Sequence, residues 1–143
     1  MKLLSRIVLA ATLVSFAPAL TAPAFAAPTP KKVVASPEVQ KEFASFIEKF
    51  RAALKANDSA AVAGMTRLPF MNDANTRDAA QFHEKVYKKD FTAKTRACLT
   101  RSKAIYDRSP QNDESYYIFC GEDIFVFTKS SAGFQFTDIS VND

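Results

Sequence analysis

The 143-residue chain carries 19 Lys and Arg against 15 Asp and Glu, a formal excess of +4, with 13 Phe, no Trp, one His and two Cys. Near-balanced charge, with Lys31-Lys32, Lys88-Lys89, Arg96, Arg101, Lys103 and Arg108 dispersed along the chain, gives solvated faces and no phosphate-binding stripe, so nucleic acid is not an expected partner. Two cysteines and a lone histidine make no tetrahedral ligand set, and Gly64, Gly121 and Gly133 are too scattered for a phosphate loop; no metal and no cofactor is expected.

Lys2 and Arg6 precede an uncharged run from Ile7 to Leu20, and Ala24, Ala26 and Ala27 follow ahead of Pro28. This is the pattern of a secretory signal peptide over residues 1–27, too short and too interrupted by Pro18 and Pro23 to leave a stable membrane anchor after cleavage. An uncleaved anchor is the alternative. Export places the protein in the periplasm or the medium, between which the leader does not choose. Residues 28–35 read as a flexible arm, and 36–143 as one α+β domain.

Ser36 is an N-cap, Pro37 suits the first helical position and Glu38 complements the helix dipole. Val39, Phe43, Phe46, Ile47, Phe50 and Leu54 then form one apolar stripe, with Lys41, Glu42, Glu48, Lys49 and Arg51 on the other side. Asn57 ends this helix in the left-handed conformation and Asp58 caps a short second one. In Leu68-Pro69-Phe70, proline stops any helix and Leu68 and Phe70 close the core edge. Thr76 or Asp78 caps a third helix with Phe82 and Val86 inward, and Thr92 a fourth carrying Cys98 and Leu99.

Ala104-Ile105-Tyr106 starts a sheet, turning through Ser109–Asp113 into a strand from Ser115. The alternation of Tyr116, Ile118 and Cys120 with Tyr117, Phe119 and Gly121 predicts a strand burying both faces or most of them. Gly121-Glu122-Asp123 makes either a tight hairpin, which is favoured, or a bulge in one long strand. Past the Ser130–Gly133 turn, the parity slip from Phe134 and Phe136 to Ile139 and Val141 predicts a bulge near Thr137 or Asp138. An even cysteine count in an exported chain favours a Cys98 to Cys120 disulfide over two reduced buried thiols. The expected architecture is α+β, with N-terminal helices packed on a curved antiparallel sheet of about four strands.

The aromatic-rich first helix, the Asn57-Asp58 step, Leu68-Pro69-Phe70, the helix ending at Phe91-Thr92 and the closing Gly133-Phe134-Gln135-Phe136 with Ile139 together resemble exported bacterial domains of the cystatin-like cone fold. That is the nuclear transport factor two-like (SnoaL-like) superfamily. The resemblance implies a bent sheet wrapped round the first helix with a cavity at its wide end, in a subgroup of unassigned function. Enzymes of that type, the ketosteroid isomerase-like and polyketide cyclase-like members, pair an acidic base with a tyrosine or a histidine in the cavity.

Candidate chemistry rests on few residues. His83 is the sole imidazole base. Asp73 or Asp107 with Tyr106 or Tyr117 supplies the base and donor that proton abstraction beside a carbonyl needs, against a plain turn role for each aspartate. Arg96 and Arg101, flanking Cys98, are candidates to hold an anionic ligand, against a solvated face. The expectation is an exported, non-enzymatic domain that binds a small ligand or protein partner at the cone mouth or sheet face. The alternatives are a cavity enzyme and a structural module that forms a homodimer through its sheet.

Overall fold

The computed structural model describes residues 33–142. The predicted leader and residues 28–32 of the predicted arm lie outside the described residues. Helix α1 (Pro37–Lys55) starts where Ser36 Oγ accepts from the amide of Val39, with Pro37 behind the cap. It buries Val39, Phe43, Ile47, Phe50, Ala53 and Leu54, with Phe46 packed against the same core. Ala35, the last residue of the predicted arm, is buried as well, and its carbonyl accepts from the Gln40 side chain.

Asn57 takes the left-handed conformation at φ 53°. Asp58 then caps α2 (Ser59–Gly64) by accepting from the Ala61 amide at 3.0 Å. Phe70 enters the core from a short 3₁₀ turn (Phe70–Asn72). Of the two caps foreseen for the next helix, Asp78 serves at the start of α3 (Ala79–Phe82). Thr76 is buried instead, donating to the carbonyls of Phe70 and Asp73. The chain runs on through a π-helical stretch (His83–Tyr87) into α4 (Lys88–Asp90), and α5 (Ala93–Arg101) follows behind the Thr92 cap. Among the described residues no helix is long and apolar enough to cross a membrane.

The fold is α+β: the helices precede an open antiparallel sheet of β1 (Ile105–Arg108), β2 (Glu114–Cys120), β3 (Asp123–Ser130) and β4 (Gly133–Val141), in that order. The β2–β3 connection is the tight hairpin, with Cys120 paired to Asp123 and Gly121 at φ 73°, a conformation glycine adopts without steric cost. In β4 the register steps from Phe127 opposite Phe136 to Val126 opposite Asp138, leaving Thr137 as the extra residue. This is the bulge that the parity slip predicts, and such an insertion bends its strand.

One face of the sheet takes the helices. Tyr116, Ile118, Phe125, Phe127, Phe134 and Phe136 are buried there, and Phe43 stacks on Tyr116 with ring centroids 3.7 Å apart. Phe136 meets the rings of Phe50, Phe70, Phe91, Phe125 and Phe127. The expectation that β2 buries both its faces needs correcting, since Phe119 on the opposite face is 42% exposed and Tyr117 is only half-buried. The helices cover one side of the open sheet; on the other, Ser115, Val126 and Thr137 are buried while the Phe119 end stays exposed. Cys98 and Cys120 form the disulfide, joining α5 to β2.

Candidate functional site

The inner face of the sheet is occupied by interlocking aromatic rings, and the open space lies beside it. A groove of about 940 Å³ runs between α1 and the α5–β1 connection. Phe43, Ala44 and Ile47 of α1 form its floor, with Val33, Val34 and Ala35 on one side and Ala104, Ile105, Tyr106 and Tyr116 on the other. Val34 and Ile105 are strongly exposed, at 68% and 53%. Its volume falls in the range of roughly 300–1,000 Å³ typical of small-molecule sites.

Among the described residues, Arg51, Arg101 and Lys103 are the charged residues lining this groove, and no carboxylate lines it. Arg51 reaches across from α1, donating from Nε to the Leu99 carbonyl at 3.0 Å and from a terminal nitrogen to the Ser102 carbonyl. It thereby satisfies carbonyls at the end of α5 that the helix cannot, and places a cation at the helix terminus that favours one. The sequence reading puts Arg51 on the solvent side; half-buried, it belongs to the groove wall. Its spacing of four from Ile47 is the signal for this. Arg101 donates from Nε to the Ala97 carbonyl at 3.1 Å, which orients its guanidinium.

The other sequence candidates fall in separate places. Arg96 donates to the Phe91 carbonyl at 2.7 Å and is not among the groove residues. Asp73 is an exposed loop carboxylate accepting from the backbone and side chain of Asn75. Asp107 is exposed on β1 and accepts from the Arg108 amide at 2.8 Å. Tyr106 meets a different carboxylate, donating to Glu114 Oε1 at 3.1 Å, where Arg108 also binds at 2.7 Å. Lys129 links this group to α1 through Glu42 at 2.8 Å, with Glu114 at 3.9 Å. Burial acts to raise the Glu114 pKa, but the bonds from Arg108 and Tyr106, with the Arg108 and Lys129 charges, hold it below the ordinary glutamate value. This cluster follows from the Arg108–Glu114 register, which closes over the Ser109–Asp113 turn. Tyr117 stands on the opposite face, in one row with Val126 and Asp138.

His83 lies in the π-helical stretch, with Nδ1 2.7 Å from Ser59 Oγ and its ring stacked on Tyr87. Tyr87 in turn donates to Asn57 at 3.1 Å. Glu84 lies 3.8 Å from Nε2, too far to hydrogen-bond the imidazole, and is held by Lys88 at 2.7 Å. The arrangement fastens α2 to the helix beyond it.

Asp90, which the sequence reading passed over, is a half-buried carboxylate at the end of α4. Burial raises its pKa, the nearby Asp123 charge adds to this, and Lys89 partly offsets both. A carboxyl raised in the fold supports it only while protonated, so Asp90 costs stability as pH climbs through its folded pKa. Asp90→Asn is therefore expected to raise the urea midpoint slightly at neutral pH and leave it unchanged below the ordinary aspartate range. A lower midpoint at neutral pH would contradict this assignment.

Among the described residues no group of His, Cys, Asp and Glu is placed to hold a metal. In class, the chain is an α+β protein whose helices cover one face of an open four-stranded sheet, with a cation-rimmed groove alongside. Comparison with family models, curated proteins and solved structures finds no match to this chain.

Proposed function

We propose that the protein is an exported, non-enzymatic binding domain of the cystatin-like cone type, and that it holds a ligand or protein partner in the groove between α1 and the α5–β1 connection. The observation that carries this reading is the combination of an apolar floor with Arg51, Arg101 and Lys103 and, among the described residues, no lining carboxylate. Export is supported by the leader pattern and by the bonded cysteines, since disulfides persist in oxidising compartments. The cone assignment is supported by the bulged last strand and by α1 lying on the sheet. A binding role is favoured over a cavity enzyme because aromatic rings occupy the inner face while Asp73 and Asp107 are exposed.

Native mass spectrometry of the protein recovered from the exporting host tests this reading. The expected spectrum shows a chain beginning near Pro28, lighter by two hydrogen atoms than the dithiol form. It also carries a non-covalent adduct that disappears in Ala44→Trp, a variant at an exposed α1 position that fills the groove. A chain beginning at Met1 would contradict export, and an adduct retained by Ala44→Trp would contradict the site.

A second reading, a homodimer through the sheet face away from the helices, draws on the exposed Phe119 and the half-buried Tyr117. Light scattering of the wild type and Phe119→Ser decides it: a dimer lost in the variant supports pairing, and a wild-type monomer contradicts it.

A further inference from the structure

The geometry points to a single-chain anionic amphiphile, a free long-chain carboxylate, as the occupant of this groove, its chain along Phe43, Ala44 and Ile47 and its head group at Arg101 and Lys103. The inference rests on the groove being the binding site and goes further by naming the chemistry of what fills it. The floor and walls, built from Val34, Ala35, Phe43, Ala44, Ile47, Ala104 and Ile105, offer a hydrocarbon chain contact while asking for no hydrogen bonds.

The electrostatics fix the sign of the head group. Arg51, Arg101 and Lys103 take part in no ion pair, as is true of most surface cations among the described residues; what sets these three apart is that they line one apolar groove together. Arg101 and Lys103, exposed beside an Arg51 already held by the Leu99 and Ser102 carbonyls, give the apolar wall a positive potential, which attracts an anion and repels a cationic chain of the same length. The guanidinium fork of Arg101, steadied by the Ala97 carbonyl, suits a carboxylate. An anionic head is placed at the α5–β1 connection, where Arg101 and Lys103 line the groove two residues apart. A nucleic acid would leave the apolar floor unused, and an uncharged chain would leave the cations unanswered.

The test is calorimetric titration of the disulfide-intact exported protein with dodecanoate, dodecyltrimethylammonium and dodecyl maltoside, each below its micellar concentration. Dodecanoate is expected to saturate at one per chain. Arg101→Gln/Lys103→Gln, two exposed changes outside the core, is expected to weaken it roughly tenfold, and Ala44→Trp to abolish it. The cationic and sugar-headed chains are expected to bind about tenfold more weakly or not at all. Equal binding of all three, or no effect of the double variant, would overturn the anionic assignment while leaving the groove as the site if Ala44→Trp still blocks. Dodecanoate binding that survives Ala44→Trp would overturn both. Failure of dodecanoate to bind would overturn the occupant alone, because the co-purified adduct tests the groove independently.

Discussion

Phe136→Ala is expected to destabilise the protein by about 4 kcal/mol, the largest effect of any single side-chain truncation considered. Phe136 is fully buried on β4 and touches rings from α1, the 3₁₀ turn, the Phe91 corner and β3. Removing it opens a cavity bounded by side chains from separate elements, each anchored elsewhere, so the site cannot collapse cheaply. Its backbone also ties β4 to the segment after α2: Arg67 donates to the Phe136 carbonyl and Phe136 to that of Met65, both at 2.9 Å. Those bonds survive the truncation, so the variant is expected to keep its sheet while losing a large share of a total of roughly 5–15 kcal/mol. Urea denaturation measures this, and a loss under 1.5 kcal/mol, roughly that of a half-exposed side chain, would contradict the packing described.

Opening the disulfide has the next largest effect. Cys98 and Cys120 are 22 residues apart, and freeing a loop of that size gives the unfolded chain entropy worth about 3 kcal/mol. Cys98→Ser/Cys120→Ser is thus expected to lower the melting temperature by on the order of 10 °C. The bond also ties α5 to β2, and the end of α5 carries Arg101 and leads to Ser102 and Lys103 of the groove. The double variant is therefore expected to bind groove ligands less tightly at temperatures where it remains folded. A melting temperature unchanged by the double substitution would remove the crosslink from this account.

What the sequence disclosed, and what it withheld, follows from how local each signal is. The Ser36 and Asp58 caps, the left-handed Asn57, the α1 stripe and the Thr137 bulge were legible because each depends on residues within a turn or two, or on a parity that only an extra residue explains. Two-sided burial of β2 was misread because Tyr117 and Phe119 are as apolar as their neighbours; whether a second layer covers them is decided by the rest of the chain. The π-helical stretch over His83–Tyr87 had no compositional mark. Nor could local pattern find the groove. It is assembled from α1, the residues before it and the α5–β1 connection, so Arg101 was legible as a candidate cation, Arg51 only through its spacing from Ile47, and Lys103 gained meaning from its placement alone.

Amide chemical-shift mapping of the folded, disulfide-bonded protein titrated with dodecanoate tests most directly whether ligands bind beside the filled interior. The predicted result is a set of shifts confined to Val33–Ala35, Phe43–Arg51 and Arg101–Tyr106, with Phe70, Phe82 and Phe91 unmoved. Shifts centred on those interior phenylalanines, or on Phe119 and Ile124 across the sheet, would contradict it.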